Sequence, residues 1–138
     1  MLVDDNPADI DLMAEVLSQS TLHFRVHSVH DGVEAVAFLR REGCYADQPH
    51  SDLVVLDLNL PRKDGRQVLA EVKADRDLAT IPVVVFTTSQ ANSDIMRSYE
   101  LGANCYLPKP GNLADYRAAV QSMADFWLGF ACLPPKEK

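Results

Sequence analysis

The stretch Leu53-Val54-Val55-Leu56-Asp57 decides the fold, and the turn segment Leu58-Asn59-Leu60-Pro61-Arg62-Lys63-Asp64-Gly65 follows it directly. A short run rich in valine and leucine that ends in a turn with proline and glycine is typical of a fully buried strand in a parallel sheet. Asp57 would then lie at the carboxyl end of that strand. Because ligands of open α/β sheets bind at this edge, an acidic side chain here indicates a functional site.

Strand-like and helix-like segments alternate along the whole chain. The predicted strands are residues 1–3, 24–29, 53–56, 81–86 and 105–107, and a helical pattern follows each of them. Five strands that alternate with five helices predict a doubly wound (βα)5, flavodoxin-like sheet with helices on both faces. Pro108 lacks the amide proton that a central strand needs, so the fifth strand is predicted at an edge. The expected strand order is 2-1-3-4-5.

Several helix ends carry recognisable signals. Asn6 before Pro7 is typical of an N-cap followed by a proline in the first turn, which predicts the start of the first helix. Asn92 or Ser93 is expected to cap the fourth helix, and Gly102 to end it in the left-handed conformation. The second helix is predicted to stop at Gly43.

Length and charge exclude several classes of protein. The 138 residues, 47% of them hydrophobic, suit one globular domain. The net charge of -7 comes from scattered acids, which argues against nucleic acid or an anionic membrane as a partner. We find no secretory signal or membrane span and expect a cytoplasmic protein. The three cysteines are odd in number and widely separated, so they predict free thiols rather than a disulfide or a zinc site.

Three carboxylates are predicted to meet at one edge of the sheet. Asp4 and Asp5 follow the first strand, and Asp57 follows the third, which is its expected neighbour. Such crowding requires either proton uptake or a hard divalent cation, and Mg²⁺ fits because it takes few carboxylates and keeps several waters. The backbone carbonyl of Asn59 could add a further ligand. The alternative is that these acids only cap helices or turns, which leaves the acid at the end of the most apolar strand unexplained.

Two further polar side chains are predicted at the same edge. Thr87 follows the strand Val83-Val84-Val85-Phe86, and Lys109 follows the fifth strand. Each alone would be an ordinary strand-end or loop residue. Together with Asp57 they supply a nucleophile, a hydroxyl donor and a stabiliser of negative charge, which is the composition of a phosphoryl site.

These motifs resemble the receiver domains of two-component response regulators, also called CheY-like domains. The resemblance covers the chain from Leu2 to about Trp127, and it is carried by five motifs: Val3-Asp4-Asp5-Asn6, the Asp57 strand with Leu60-Pro61 and Asp64-Gly65, the strand 82–88, Gly102-Ala103, and Lys109-Pro110. Within the family, the chain is most similar to the single-domain regulators of bacterial and cyanobacterial phytochrome histidine kinases. The stretches 57–66, 86–89 and 104–106 and the late Phe126-Trp127 carry that finer resemblance.

The resemblance implies a role for each residue of the cation and phosphoryl-acceptor site. Asp57 would accept a phosphoryl group from a phosphohistidine of the partner kinase. Asp5, Asp57 and the Asn59 carbonyl would hold magnesium directly, and Asp4 would act mainly through water. Ser89 and Asn59 would flank the path of the water that later hydrolyses the phosphoryl group.

It also implies the switch residues and the charge stabiliser. Thr87 would turn its hydroxyl toward the phosphoryl group, and Tyr106 would rotate inward behind it. Without the resemblance, Tyr106 would be interpreted as a half-buried aromatic of an edge strand. Lys109 would bind a phosphoryl oxygen, and the Lys109-Pro110 peptide is expected to be cis.

The resemblance implies a regulator rather than an enzyme, apart from self-catalysed phosphotransfer and dephosphorylation. We expect a receiver domain over residues 1–128 and a C-terminal extension over 129–138, with signalling through protein contacts. Phe126, Trp127, Leu128 and Phe130 are more large apolar side chains than one helix face can bury, so some should be exposed. The related phytochrome regulators include dimers, so we predict a homodimer through the later elements and the C-terminal arm. The alternative is that the last turn folds back over its own core.

Three other classes of protein share parts of this pattern. A magnesium-dependent aspartyl-phosphate hydrolase typically has a second acid two residues after its nucleophile, where this chain has Asn59. A flavodoxin-like electron carrier would need Ser, Thr or Gly donors in the first turn, which is acidic here. A receiver-like interaction module that is never phosphorylated is the third alternative, and the presence of Asp5, Asp57, Thr87 and Lys109 argues against it.

Overall fold

The computed structural model describes residues 1–135, which form a five-stranded parallel sheet flanked by helices. The strands are β1 (Leu2–Val3), β2 (Ser28–Val29), β3 (Val54–Leu56), β4 (Val83–Thr87) and β5 (Cys105–Pro108). Their order is β2-β1-β3-β4-β5, with β5 at an edge. The predicted fold class, strand order and edge position are therefore confirmed.

Five α-helices connect and follow the strands. They are α1 (Pro7–Ser18), α2 (Gly32–Arg40), α3 (Gly65–Ala74), α4 (Asn92–Glu100) and α5 (Leu113–Ala124), and α5 continues as a π-helical segment over Asp125–Phe130. Among the described residues, no helix is long and apolar enough to cross a membrane. All three cysteines are free thiols; Cys44 and Cys132 are exposed, and Cys105 is half-buried.

The hydrophobic core lies on both faces of the sheet because successive strand residues point to opposite sides. On one face, Val54 and Leu56 pack with α2 and α3. On the other face, Val55 packs with α1 and α5. The most apolar strand is thus covered on both sides, as its sequence predicted.

The predicted helix ends are partly confirmed. The Asn6 side chain accepts hydrogen bonds from the first turn of α1, and Gly102 has a φ of 107° after α4. The N-cap of α4 is Ala91, so the prediction of Asn92 or Ser93 was wrong. The helix starts early enough to put Asp94 in its first turn, where a carboxylate interacts favourably with the helix dipole.

Several element boundaries differ from the sequence prediction, most of them by one or two residues and three by more. The helical pattern in the sequence predicts the last helix over 113–127. β2 pairs only over Ser28–Val29, because its neighbour β1 offers just two residues for the ladder. α2 ends at Arg40, before Gly43, because Arg41 itself adopts the left-handed conformation. The last helix continues past Trp127 to Phe130, since the wide π-helical turn lets Trp127 and Leu128 pack on the core.

Candidate functional site

Three carboxylates meet at the carboxyl edge of the sheet. β1 and β3 are adjacent and in register, so Asp4 and Asp57, which directly follow them, are neighbours. Asp4, Asp5 and Asp57 each offer an oxygen, and these oxygens lie within 4.8 Å of one another. Asp4 and Asp57 are buried and Asp5 is exposed, so the cluster opens toward solvent on the Asp5 side.

The cluster has the composition and size of a divalent-cation site. Opposite ligands of an octahedral magnesium ion lie about 4.2 Å apart, and these oxygens all lie within 4.8 Å of one another. Burial raises the pKa of Asp4. The hydrogen bonds that Asp4 receives from Lys109 and from the Asn6 amide lower this pKa, but burial has the larger effect. The Asn59 amide donates to Asp57 Oδ1 at 3.4 Å, and the predicted use of the Asn59 carbonyl as a ligand stays a prediction.

Lys109 neutralises part of this negative charge. Its Nζ donates to Asp4 Oδ2 at 2.6 Å, to Asp9 Oδ2 at 2.9 Å and to Asp57 Oδ2 at 3.1 Å. The ammonium is buried, with 5% of the side chain exposed. Burial lowers the pKa of Lys109, but the three carboxylates outweigh burial and raise it, so the side chain stays charged.

The predicted cis peptide between Lys109 and Pro110 was wrong, because this bond is trans. The trans isomer before proline is intrinsically favoured by about 0.5–1 kcal/mol. Lys109 also reaches its carboxylates from the trans backbone while its amide donates to the Thr87 carbonyl at 2.6 Å. The geometry of the charge stabiliser therefore requires no cis bond.

Thr87 ends β4 beside this cluster. The side chain is fully buried, and Oγ1 has no hydrogen-bond partner among the described residues. A buried hydroxyl without a partner is rare in native proteins and requires an explanation. A group that arrives at Asp57 and accepts from this hydroxyl would supply one.

Gly65 allows α3 to begin directly behind Asp57. A Cβ atom at Gly65 would lie 2.3 Å from the Asp57 carbonyl oxygen and 2.6 Å from the Leu58 Cα. Any larger residue would push the backbone that carries the carboxylate out of place. The turn that follows Asp57 thus requires glycine at position 65, because the start of α3 lies too close to the backbone of Asp57 and Leu58 for a side chain.

Tyr106 is buried, and its hydroxyl donates to the Ser89 carbonyl at 2.9 Å. Burial raises the pKa of Tyr106. The Ser89 hydroxyl donates to Asp94 Oδ2 at 2.6 Å, and Arg66 Nη2 donates to Asp94 Oδ1 at 2.5 Å. These contacts connect α3, α4 and β5 through the β4–α4 loop. They also engage the hydroxyl of Ser89 that was predicted to line the path of the attacking water.

Comparison with known proteins identifies the family. The family model for the response regulator receiver domain matches residues 1–121. The chain belongs to this family. A curated relative, the response regulator Rcp1 of a Synechocystis strain, is 49% identical over 134 residues, which cover 97% of this chain and 91% of Rcp1.

Solved structures of phytochrome regulators are similar to this receiver domain. The manganese-bound form of Rcp1 has a TM-score of 0.94 at 49% identity, with 97% of this chain and 96% of that one covered. The phosphorylated cyanobacterial phytochrome response regulator RcpA has a TM-score of 0.94 at 51% identity, with the same coverage. This chain is thus a response regulator receiver domain homologous to phytochrome response regulators.

Local sequence patterns did not indicate Asp9 as a site residue of this receiver domain, nor the bridge from Arg66 to Asp94. In the sequence, Asp9 is an ordinary acid of the first helical turn. Its one signal is its spacing of four residues from Asp5, which is weak because surface helices commonly carry acids. Nothing local in the sequence indicates that Arg66 contacts Asp94, since 28 residues separate them.

Replacing Arg66 tests the contact between Arg66 on α3 and Asp94 on α4 of the receiver domain. Hydrogen bonds from Ser89 and then Arg66 lower the pKa of Asp94. We expect Arg66→Met to raise that pKa toward the ordinary value of about 3.9, measured by carboxyl-carbon NMR titration. Because the folded pKa is the lower one, the stabilisation is complete above the unfolded pKa and is lost as the pH falls through the folded value. An unchanged Asp94 pKa in Arg66→Met would contradict the contact; Arg76→Met, at an exposed position, is the control.

Proposed function

We propose that Asp57 accepts a phosphoryl group from a phosphohistidine of a histidine kinase of the phytochrome type. The observation that carries the proposal is the position of its carboxylate, within 4.8 Å of the oxygens of Asp4 and Asp5 and in contact with Lys109. Three carboxylates and one ammonium crowd this edge of the sheet, where Asp5 is exposed and the other three groups are buried. They suit a site that receives a highly charged group.

In this proposal, an Asp57 carboxylate oxygen attacks the phosphorus of the phosphohistidine. The new oxygen–phosphorus bond forms as the phosphorus–nitrogen bond breaks, and the histidine leaves with the electron pair. Lys109 donates to a phosphoryl oxygen, and the buried Thr87 hydroxyl finds there the acceptor that it lacks. Tyr106 is already packed inside behind the loop that follows Thr87.

We propose magnesium as the cation of this site, held by Asp5, Asp57 and the Asn59 carbonyl, with Asp4 acting through water. A bound divalent cation would supply neutralisation of the charge on the phosphoryl oxygens. The donor set supports a hard cation because all the side-chain ligands are carboxylates. The solved structure of Rcp1 is a manganese-bound form, which supports a divalent cation as the ion for this chain.

A phosphotransfer assay tests the proposed function. A phytochrome-type histidine kinase, labelled with ³²P on its histidine, is mixed with this chain and Mg²⁺. We expect the label to move to this chain within seconds to minutes, and EDTA to prevent the transfer. Absence of label with both this donor and acetyl phosphate would favour the unphosphorylated interaction module. Continuous multiple-turnover release of phosphate from other phosphomonoesters would favour the hydrolase.

Thr87 is expected to connect the phosphoryl group to Tyr106. Thr87→Ala should still be phosphorylated, because the nucleophile and Lys109 remain, but the environment of Tyr106 should no longer change. The measurement is the Tyr106 ring signal in NMR spectra before and after addition of acetyl phosphate. Thr87→Ser, which retains the hydroxyl, is the matched control. A Tyr106 response in Thr87→Ala equal to that of the unchanged protein would contradict this role.

We also propose that the regulator forms a homodimer through its later elements. Phe126 is 54% exposed and Phe130 86% exposed, as predicted for a terminal helix with too many apolar side chains. On α4, Met96 and Tyr99 add further exposed apolar surface. Pro134 and Pro135 line a cleft of their own domain, so the described part of the tail, which ends at residue 135, does not extend away as the predicted arm.

Light scattering tests the dimer with exposed residues that the core does not need. The double variant Phe126→Ser and Phe130→Ser should shift the mass from dimer toward monomer at tens of micromolar protein. Val33→Ser, which changes an exposed apolar residue of α2, is the control and should remain dimeric. A monomeric mass for the unchanged protein would refute the homodimer, and a dimeric double variant would refute this surface.

The remaining predictions concern the context of the domain. We propose that residues 1–128 act as the receiver domain and 129–138 as an extension, and that signalling proceeds through protein contacts. The structure describes this extension only to residue 135. The cytoplasmic location, the absence of nucleic-acid and membrane partners and the absence of enzymatic activity beyond self-catalysed phosphotransfer and dephosphorylation stay predictions.

A further inference from the structure

Three carboxylates share the ammonium of Lys109. A lysine ammonium has three N–H donors, and Asp4, Asp9 and Asp57 lie 2.6, 2.9 and 3.1 Å from it. Each donor can therefore serve one carboxylate, and none remains for a further acceptor. An incoming phosphoryl oxygen must take the place of one of these acids.

Asp9 differs from the other two acids in its position. It lies in the first turn of α1, whereas Asp4 and Asp57 directly follow strands. Its side chain is 21% exposed, compared with 2% for Asp4 and 10% for Asp57. It is also outside the three-carboxylate cluster that could hold a cation. Asp9 thus contacts the ammonium from a separate element and without a role as a cation ligand.

Phosphoryl transfer reduces the negative charge that Asp4 and Asp57 offer to Lys109, but not the charge that Asp9 offers. An Asp57 oxygen becomes bonded to phosphorus, and Asp4 belongs to the carboxylate cluster of the cation site. Both acids therefore have less negative charge available for Lys109 during the reaction. The carboxylate of Asp9 keeps its full charge, because it neither reacts nor belongs to that cluster.

We propose that Asp9 is a positioning residue for phosphoryl transfer, which holds the Lys109 ammonium at the sheet edge while that ammonium donates to the phosphoryl group. The inference rests on the proposed function of Asp57. Asp9 acts only through Lys109: it shares one donor of the ammonium and leaves the other two for oxygens at the reacting centre. Without this contact, the flexible lysine stem would allow the charge to leave its productive position.

Tyr116 on α5 supports the position of Asp9. Its hydroxyl is buried and has no hydrogen-bond partner among the described residues. Burial, followed by the charge of Asp9, raises the pKa of this hydroxyl, which indicates that the two groups are close. α1 and α5 pack against each other, so a protonated hydroxyl on α5 is available to hold the Asp9 carboxylate beside the Lys109 ammonium.

The first measurement compares phosphorylation rates with acetyl phosphate at saturating Mg²⁺, read by intact mass. In this reaction the Asp57 oxygen bonds to phosphorus, and acetate leaves with the electrons of its bond to phosphorus. Asp9→Ala should react at least about tenfold more slowly, since small misplacements of a catalytic group are costly. Asp9→Glu should recover most of the rate. Asp11→Ala, which removes an exposed acid from the same helix, should react normally.

The second measurement repeats the comparison in the Lys109→Ala background. A residue that acts only through Lys109 has nothing left to position, so Asp9→Ala should add less than about twofold slowing there. Equal slowing in both backgrounds, or faster phosphorylation of Asp9→Ala alone, would overturn the inference. If Asp9→Ala does not fold, the same pair of rates on Asp9→Asn decides the question. No labelling of the unchanged protein would overturn the proposed function and this inference together, whereas the other two outcomes overturn only the inference.

Discussion

Asp57→Asn is expected to abolish phosphorylation by acetyl phosphate or by a phosphorylated kinase. The amide is nearly the same size as the carboxylate but is a far weaker nucleophile, so no phosphoryl mass should be added. The variant should remain folded, because Asp57 belongs to a crowded acidic cluster and the change removes one negative charge from it. Intact mass spectrometry measures the labelling, and thermal unfolding measures the fold.

The control for Asp57→Asn is Asp47→Asn, which changes an exposed acid that does not belong to the cluster. This control should be labelled at the rate of the unchanged protein. Labelling of Asp57→Asn at that same rate would contradict the assignment of the nucleophile. Loss of labelling together with loss of the folded signal would require the comparison to be repeated on Asp57→Glu, which retains the charge.

Lys109→Ala is expected to produce the second large effect. Removing a preorganised group that stabilises developing charge typically costs about 100-fold or more in rate, and we expect that loss in phosphorylation by acetyl phosphate. The acids that remain can still bind the cation, so Mg²⁺ affinity measured by calorimetry should be largely retained. The rate and the affinity should therefore respond very differently to the same substitution.

The same substitution should also destabilise the protein when no divalent cation is present. Lys109 is the buried cation shared by Asp4, Asp9 and Asp57, and leaving buried acids unpaired costs about 3 kcal/mol or more in the free energy of unfolding. Mg²⁺ should recover part of that loss. Lys109→Met, which keeps an apolar stem, separates lost packing from lost charge. A Lys109→Ala variant that is phosphorylated and unfolds like the unchanged protein would contradict both roles.

Much of the fold follows from local sequence patterns. The run 53–56 is apolar at every position, and such a run is typical of a strand covered on both faces, as Val54 and Val55 are in the structure. Pro108 excluded the fifth strand from the middle of the sheet. Once the strand order was predicted, the meeting of Asp4 with Asp57 followed, because both acids directly succeed neighbouring strands.

The missed features depend on contacts between distant parts of the chain. Asp9 contacts Lys109, 100 residues later, only because the fold brings the first turn of α1 next to the residue that follows β5. The length of β2 was overestimated because strand propensity in 24–27 does not reveal how many residues β1 offers for pairing. The cis peptide before Pro110 was transferred from the family resemblance, and the local backbone reaches the site without it.

Direct localisation of the phosphoryl group on the unchanged chain tests the central claim most directly. After reaction with acetyl phosphate and Mg²⁺, borohydride reduces an aspartyl phosphate to homoserine, and peptide mass spectrometry locates the reduced residue. We expect a single reduced position, Asp57, which would confirm the assignment of the nucleophile, and none when EDTA replaces Mg²⁺. Reduction at Asp4 or Asp5 instead, or labelling of a histidine or serine with Asp57 unmodified, would contradict it.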